Sequence, residues 1–289
     1  MADLPPLCRS ALYMPATNAR ALEKARTLDC DVVILDLEDA VSPDRKDEAR
    51  DAAVAAIAQG GFGRRMLVVR ANALDTPWGA DDLSALAAAG PDAVLIPKAR
   101  AVDDLRRHDE ALAMAPAATR IWAMVETAGA MMALADIAGL ARHTRLSTLV
   151  LGLNDLAEEL RMPLSPGRAP FLPLMTNAVL AARLHGLAIL DGVWNALDDV
   201  QGFTDECAQA AAWGFDGKTV IHPSQIGPCN RAFSPDAARI AWAQAVVAGF
   251  DDPANRGKGA IRVNGQMAEK MHLAEARRIL AIAAVNNGQ

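Results

Sequence analysis

The amino-acid sequence predicts an α/β protein of the closed (β/α)8 class, a TIM barrel, followed by a C-terminal lid extension of helices and loops. Eight short apolar segments, rich in β-branched residues, alternate with longer amphipathic segments rich in alanine and leucine. Near-continuous apolar strands separated by helices are typical of a parallel sheet covered on both faces. The main alternative is an open doubly wound sheet with a GxGxxG turn after its first strand, but this chain has PATNARALEKA at that place.

The predicted strands are, in chain order, RSALYMP (9–15), DVVILDL (31–37), RMLVVRAN (65–72), DAVLIPK (92–98), RIWAMVET (120–127), LSTLVLGL (146–153), LAILDGVW (187–194) and GKTVIHP (217–223). Segments such as ARALEKARTL and PWGADDLSALAAAG predict the intervening helices, and glycines such as Gly90 and Gly214 close several of them. The alternation stops after about residue 233. We therefore expect a barrel domain over residues 1–233 and the lid extension over residues 234–289. In that extension we expect two helices separated by a Gly- and Asn-rich loop that holds a short strand or hairpin.

Composition and charge exclude several classes of protein. The net charge is −6 and aromatic residues make up 4% of the chain, with Tyr13 as its one tyrosine, so nucleic-acid binding is disfavoured. No apolar run approaches the roughly 20 residues that span a bilayer, and the first residues lack the pattern of a signal peptide. The four cysteines are far apart and form no CxxC motif. These features predict a cytoplasmic protein without a membrane or nucleic-acid partner.

Polar side chains follow the predicted strands at their carboxyl ends, where the active site of a (β/α)8 barrel lies. They are Asp36, Glu38 and Asp39, then Arg70 and Asn72, Lys98, Glu126, Asn154 and Asp155, Asp191, and His222. Each also has a structural interpretation: the aspartates suit helix N-caps, Lys98 suits solvent, and His222 is more often a hydrogen-bonded structural residue. Their joint placement on one rim is what favours a function.

Glu126 and Asp155 end consecutive predicted strands, which lie about 4.8 Å apart in a parallel sheet. Their carboxylates could share one hard cation, and two carboxylates with several waters suit Mg²⁺. Zinc is less favoured because the sequence has no Cys/His cluster. The planar fork of Arg70 suits a substrate carboxylate. The rim therefore predicts the binding of a small α-hydroxy or α-keto acid.

Seven segments in order resemble the HpcH/HpaI aldolase / citrate lyase β-subunit family, in its CitE-like, malyl-CoA/citramalyl-CoA lyase branch. These segments are RSALYMPATNARALEKA, DVVILDLEDAVSPDRKDEAR, VVRANAL, LIPKA, VETAGAMMALADIA, GLNDLAEEL and GFDGKTVIHPSQI. The resemblance covers nearly the whole chain, and the pairing of DLEDAV with GFDGK..IHPSQI is its most specific part. It implies a Mg²⁺-binding (β/α)8 barrel that forms homotrimers or hexamers and acts on coenzyme A (CoA) thioesters.

The same resemblance implies roles for individual residues. Glu126 and Asp155 match the family's metal ligands, and Arg70 matches its substrate-binding arginine. Glu38 and Asp39 match an acidic pair that organises water and the arginine. Arg9 matches an arginine close to the CoA phosphates, and Lys98 matches a lysine of the pocket wall. In the lid segment NGQMAEKM (264–271), Glu269 stands at the position of an aspartate that reaches a neighbouring subunit's active site, so Glu269 is the expected lid acid.

The resemblance implies a Mg²⁺-dependent carbon–carbon lyase that splits a malyl-CoA or citramalyl-CoA type thioester into an acyl-CoA and a 2-oxo acid. One alternative is a malyl-CoA-type thioesterase, in which activated water attacks the thioester. Another is the β-subunit of a citrate lyase complex, which acts on an acyl-carrier protein thioester. A non-catalytic CoA-metabolite binding protein is disfavoured because Glu126, Asp155 and Arg70 are all present.

Overall fold

The structure, a computed structural model, describes residues 7–287 of the 289-residue chain. Contacts between residues divide it into two compact units. One comprises Cys8–Asn230, and the second holds Leu7 and the described residues from Arg231 onward. The division lies three residues before the boundary expected at 233/234. Each unit has its own hydrophobic core.

The first unit is a closed barrel of eight parallel strands, in which each strand pairs with the next and β8 pairs with β1. The strands are β1 (Ser10–Pro15), β2 (Val32–Asp36), β3 (Met66–Arg70), β4 (Ala93–Ile96), β5 (Arg120–Val125), β6 (Leu146–Leu151), β7 (Ala188–Asp191) and β8 (Gly217–Val220). Each lies inside one of the eight predicted segments. The predicted (β/α)8 fold is therefore confirmed.

Helices alternate with these strands in the order that the apolar periodicity predicts. They are α1 (Ala19–Ala25), α2 (Lys46–Gln59), α3 (Gly79–Ala89), α4 (Val102–Ala111), α5 (Ala128–Met132), α6 (Leu134–Gly139), α7 (Leu153–Leu160), α8 (Leu172–His185), α9 (Val200–Ala212) and α10 (Ile226–Ala232), with α10 reaching past the unit boundary. Gly90 ends α3 at φ +69°, where its N–H donates to the Leu86 carbonyl. A residue with a Cβ would be strained in that left-handed conformation, so glycine terminates the helix there.

The barrel interior is filled by apolar side chains from most of the strands, including Ile34, Val68, Leu95, Trp122 and Leu190. All five are completely or almost completely buried. This packing closes the centre of the barrel, as in other barrels of this class, so a ligand has access only at a rim. The carboxyl ends of the strands are thus the place to look for the site.

The second unit contains α11 (Ala237–Asp251), a hairpin of β9 (Ala260–Val263) and β10 (Gln266–Glu269), and α12 (Lys270–Asn287). Asn264 and Gly265 join the two antiparallel strands, both with positive φ, as a two-residue hairpin turn requires. Val246, Ile261 and Ile279 belong to the apolar core of this unit. The predicted order of helix, hairpin and final helix is confirmed.

Two further observations concern the described part of the chain. Within residues 7–287, no helix combines the length and the apolar character needed to cross a membrane. The four cysteines are buried thiols.

Candidate active site

Arg70 and Asp36 form a salt bridge at the carboxyl-terminal rim of the barrel. They are the last residues of β3 and β2 and stand opposite each other in the register of the sheet. Arg70 Nε donates to Asp36 Oδ1 at 2.7 Å, and Nη2 donates to Oδ2 at 2.6 Å. Burial acts to lower the Arg70 pKa, but the hydrogen bonds and charge of Asp36 outweigh it and raise that pKa well above its ordinary value. The two residues therefore form a bidentate ion pair.

This contact limits how Arg70 could bind a substrate. Asp36 occupies the Nε and Nη2 edge of its guanidinium, so a substrate carboxylate could meet only Nη1, and the expected binding of such a carboxylate by Arg70 stays a prediction. Only Nη1 points elsewhere, and it lies 2.9 Å from Glu38 Oε2 and 3.3 Å from Asp39 Oδ2. Asp36 is among the polar strand-end residues but not among the expected catalytic ones. The in-register position of the two strand ends is the signal that could have paired it with Arg70.

Glu38, Asp39, Arg70 and Lys98, all expected at the site, do come together. Lys98 Nζ lies 3.0 Å from Glu38 Oε1 and 3.8 Å from Asp39 Oδ1. Burial raises the pKa of Glu38, while Arg70 and Lys98 act to lower it, and the net shift is upward. Asp39 is more exposed, with 54% of its side-chain surface accessible. Glu38 is thus the inner carboxylate of the acidic pair and Asp39 the outer one.

A buried lysine that sequence reasoning missed holds this acidic loop in place. Lys46 Nζ donates to the carbonyls of Leu37 and Glu38 at 2.8 and 2.7 Å, and to Asn72 Oδ1 at 2.8 Å. The Asp36 carboxylate also accepts hydrogen bonds from the backbone N–H groups of Glu38 and Ala40. The loop conformation is therefore fixed by charge-assisted hydrogen bonds from both sides.

Glu126 and Asp155 line one cavity of about 260 Å³ at the same rim. Glu126 Oε1 accepts the Lys98 N–H at 2.7 Å, and Lys98 adopts φ +51° at this place. Glu126 Oε2 is buried and has no hydrogen-bond partner among the described residues. Burial raises the pKa of Glu126 to about 8; the Lys98 N–H acts against this shift, and Asp155 adds to it. Gly152 leaves the space for this carboxyl, because a Cβ there would lie 2.5 Å from Oε2.

These features fit a bound cation. An unpartnered buried oxygen and a raised pKa both indicate that positive charge among the described residues compensates the ionised form of Glu126 only weakly. Among the described residues, no group of three or more His, Cys, Asp or Glu side chains could hold a metal ion. A closed zinc site is therefore disfavoured, whereas two carboxylates that leave most positions to water and substrate suit Mg²⁺.

Arg9 is not brought to this rim, and its expected place near the CoA phosphates stays a prediction. Arg9 precedes β1 and Asp31 precedes β2, so both lie at the amino ends of the strands. Nε donates to Asp31 Oδ2 and Nη2 to Oδ1, each at 2.8 Å, and both residues are buried. The arginine joins the first two strands at the opposite end of the barrel, where such an ion pair serves stability.

Three other strand-end residues have structural partners. Asp191 accepts from Arg168 and Lys218 in a buried network. His222 caps a short 3-10 turn, and its Nδ1 lies 2.7 Å from Ser224 Oγ, which agrees with the structural interpretation. Asn154 accepts a hydrogen bond from Asn195.

Glu269 belongs to the second unit, where it is the exposed last residue of β10. Its N–H donates to His272 Nδ1 at 2.9 Å. Its expected role as a lid acid stays a prediction.

A closed eight-stranded parallel barrel with an arginine, a lysine and several carboxylates at its carboxyl-terminal rim defines a (β/α)8 barrel enzyme with an acidic active-site rim. The family model for HpcH/HpaI aldolase/citrate lyase matches residues 9–223, and the chain belongs to this family. The resemblance found in the sequence is thereby confirmed.

Three relatives illustrate the similarity. A (3S)-malyl-CoA thioesterase of Cereibacter sphaeroides strain KD131 is 44% identical over 275 residues, which cover 95% of this chain and 94% of the relative. Citrate lyase subunit β of Leuconostoc mesenteroides subsp. cremoris is 30% identical, over 97% of this chain and 95% of its own. The crystal structure of CitE from Mycobacterium tuberculosis with magnesium, acetoacetate and coenzyme A matches with a TM-score of 0.75 and 31% identity, over 98% and 100% of the chains.

Proposed function

We propose that the protein is a Mg²⁺-dependent enzyme that acts on a 3-hydroxyacyl-CoA thioester of the malyl-CoA type, with hydrolysis of the thioester as its main reaction. The observation that carries this proposal is the 42–44% identity to (3S)-malyl-CoA thioesterases, compared with 29–30% to citrate lyase β-subunits. Carbon–carbon cleavage, the first expectation from the sequence, is the second candidate. The family's citrate lyase members, and CitE structures with small acids and magnesium, support it.

Glu126 and Asp155 would hold the Mg²⁺ ion. Two observations support this assignment: Oε2 of Glu126 has no hydrogen-bond partner in the described part of the chain, and both carboxylates line the same cavity. When bound, Mg²⁺ supplies Lewis-acid polarisation of a substrate oxygen.

The neighbouring side chains would bind and orient the substrate and move a proton. Arg70, held by Asp36, directs only Nη1 toward the acidic pair. Glu38 lies next to both Arg70 and Lys98. Burial raises its pKa, so this carboxylate is a stronger base than an ordinary glutamate. We assign Glu38 the removal of a proton from the attacking water. Lys98 keeps that carboxylate oriented through its 3.0 Å contact.

Product analysis tests the proposal. With malyl-CoA, hydrolysis yields malate and free CoA, whereas carbon–carbon cleavage yields acetyl-CoA and glyoxylate. We expect malate and CoA, formed only when Mg²⁺ is present and not in excess EDTA. Acetyl-CoA as the main product would establish the lyase instead, and full activity in EDTA would remove the metal from the mechanism.

Arg70→Lys is expected to lose activity about 10²-fold or more. A lysine ammonium cannot donate to both oxygens of Asp36 and also reach the position of Nη1, because it lacks the planar fork. The measurement is kcat/KM with malyl-CoA, alongside a circular dichroism spectrum that verifies folding. Activity within about threefold of wild type would show that a point charge suffices.

Glu269→Ala is expected to lower kcat by roughly 10²–10⁴-fold, the usual contribution of a positioned acid or base. By resemblance, Glu269 acts in a neighbouring subunit of a homotrimer or hexamer. Mixing inactive Glu269→Ala with inactive Glu126→Gln then restores part of the activity, since some sites receive both intact residues. If subunits exchange and no mixture exceeds either parent, Glu269 does not act in trans.

A further inference from the structure

Tyr13 is a half-buried tyrosine in the barrel interior that the proposed chemistry does not use. It lies on β1, and its hydroxyl contacts Met124 Sδ on β5 at 3.8 Å. β1 and β5 are opposite strands of the eight-stranded barrel. The hydroxyl therefore lies near the barrel axis, close to the active-site rim.

Two donors converge on the same weak acceptor. Arg70 Nη1 also lies 3.8 Å from Met124 Sδ, and the Arg70 guanidinium lies 5.1 Å from the centre of the Tyr13 ring. A thioether sulfur is a weak acceptor, and methionine is flexible enough to vacate such a position. Burial raises the pKa of Tyr13; Arg70 acts against this shift, and Asp36 and Glu126 add to it, so the group stays a protonated donor.

We propose that the Tyr13 hydroxyl and Arg70 Nη1 form a two-donor subsite for one carboxylate oxygen of the substrate's malyl group. That oxygen would take the position that Met124 Sδ occupies in this structure. The inference rests on the proposed function, because it names where that substrate's carboxylate is held.

A neutral donor suits this place. The Arg70 charge is already balanced by Asp36 at 2.6 and 2.7 Å and lies next to Glu38. A hydroxyl adds a hydrogen bond to an incoming oxygen without a further buried charge and without its desolvation cost. Tyr13 is thus a substrate-binding residue, and Met124 is the side chain that yields to the acid.

The first test uses the fact that Tyr13 is the chain's one tyrosine. Labelling with [13Cζ]-tyrosine gives a single NMR signal that reports directly on the hydroxyl. We expect this signal to shift when malate, the acid part of the substrate, is added to the full-length protein with Mg²⁺. No shift at malate saturation, or no malate binding at all, would overturn the inference.

The second test is Tyr13→Phe, which keeps the ring over Arg70 and removes only the hydroxyl. Loss of a hydrogen bond to a charged group is expected to weaken malate binding, measured by calorimetry, about 10- to 100-fold. The matched control is Ile34→Val in the same apolar cluster, which removes one methylene and no polar atom and should leave malate affinity unchanged. Equal malate affinity in Tyr13→Phe and wild type would contradict the inference.

Steady-state kinetics distinguish whether the Tyr13 hydroxyl binds the substrate's carboxylate or the oxyanion that develops at the thioester. If it binds the carboxylate, Tyr13→Phe raises KM for malyl-CoA and changes kcat little. A lowered kcat with unchanged malate affinity would assign the hydroxyl to the thioester oxygen and overturn the proposal. These measurements also distinguish failure of the proposed function from failure of the subsite. If the protein turns over no malyl-CoA but its Tyr13 signal shifts with malate, the proposed function is wrong and the subsite stands.

Discussion

Glu126→Gln is expected to lower Mg²⁺-dependent turnover by at least about 10²-fold, since losing even an outer-shell partner of a metal costs 10–100-fold. The same substitution is expected to stabilise the metal-free protein. The Glu126 carboxyl is buried, one oxygen has no partner among the described residues, and its pKa in the fold is about 8, against an ordinary value of 4.5. Glutamine removes the charge that the fold fails to compensate.

The sign of the pH dependence follows from the raised pKa. Below pH 4.5 the carboxyl is protonated in both the folded and the unfolded state, so it contributes nothing. Between about 4.5 and 8 the unfolded chain ionises it and the fold does not. The folded state therefore loses stability as pH rises through this window, by about 1.4 kcal/mol per unit. Above about 8 the loss is constant.

Urea unfolding in EDTA at pH values of about 5, 7 and 8 measures this effect. The stability advantage of Glu126→Gln over wild type should grow with pH to the order of 3 kcal/mol at about pH 7. Added Mg²⁺ should stabilise wild type and not the variant. The control is Glu158→Gln, an exposed residue of the same cavity wall, which should change neither quantity. A Glu126→Gln variant that is less stable than wild type at about pH 8 would contradict the burial argument.

Asp36→Ala is expected to cost about 3–5 kcal/mol of unfolding free energy, because it leaves Arg70 as a buried charge without its bidentate partner. Activity should fall with it, since the guanidinium loses its fixed orientation. Asp39→Ala is the matched control for stability. It removes a carboxylate from the same guanidinium, but one that is half exposed at 3.3 Å, so about 1 kcal/mol or less is expected.

A double substitution separates the contribution of the Asp36–Arg70 ion pair to stability from its contribution to activity. Replacing both partners, as Asp36→Leu with Arg70→Met, should restore stability relative to Asp36→Ala while leaving the protein inactive. Chemical unfolding and malyl-CoA turnover are the two measurements. If Asp36→Ala costs no more than Asp39→Ala, the bidentate pair is not what supports the rim.

Much of the fold and part of the site could be predicted from local signals. The β-branched runs of strands such as β2 and β6 indicated the barrel, and charged residues at their ends indicated the rim. Arg9 shows the limit of this reasoning. A charged residue next to a strand can lie at the amino or the carboxyl end of the barrel. For Arg9 the amino end is favoured by its ion pair with Asp31, a residue 22 positions away.

The sequence alone determined the eight-stranded barrel, a short strand or hairpin in the C-terminal extension, and the joint placement of Glu38, Asp39, Arg70, Lys98, Glu126 and Asp155. These follow from periodicity and strand order, which are local. The family followed from the resemblance of seven sequence segments to known relatives. Only the tertiary structure decided that Asp36 occupies the fork of Arg70, that Glu126 keeps an oxygen unpartnered by the described residues, with a raised pKa, and that Tyr13 and Arg70 converge on Met124. The physical reason is that pairing and desolvation depend on side chains from different strands, whose distances and burial no local pattern contains.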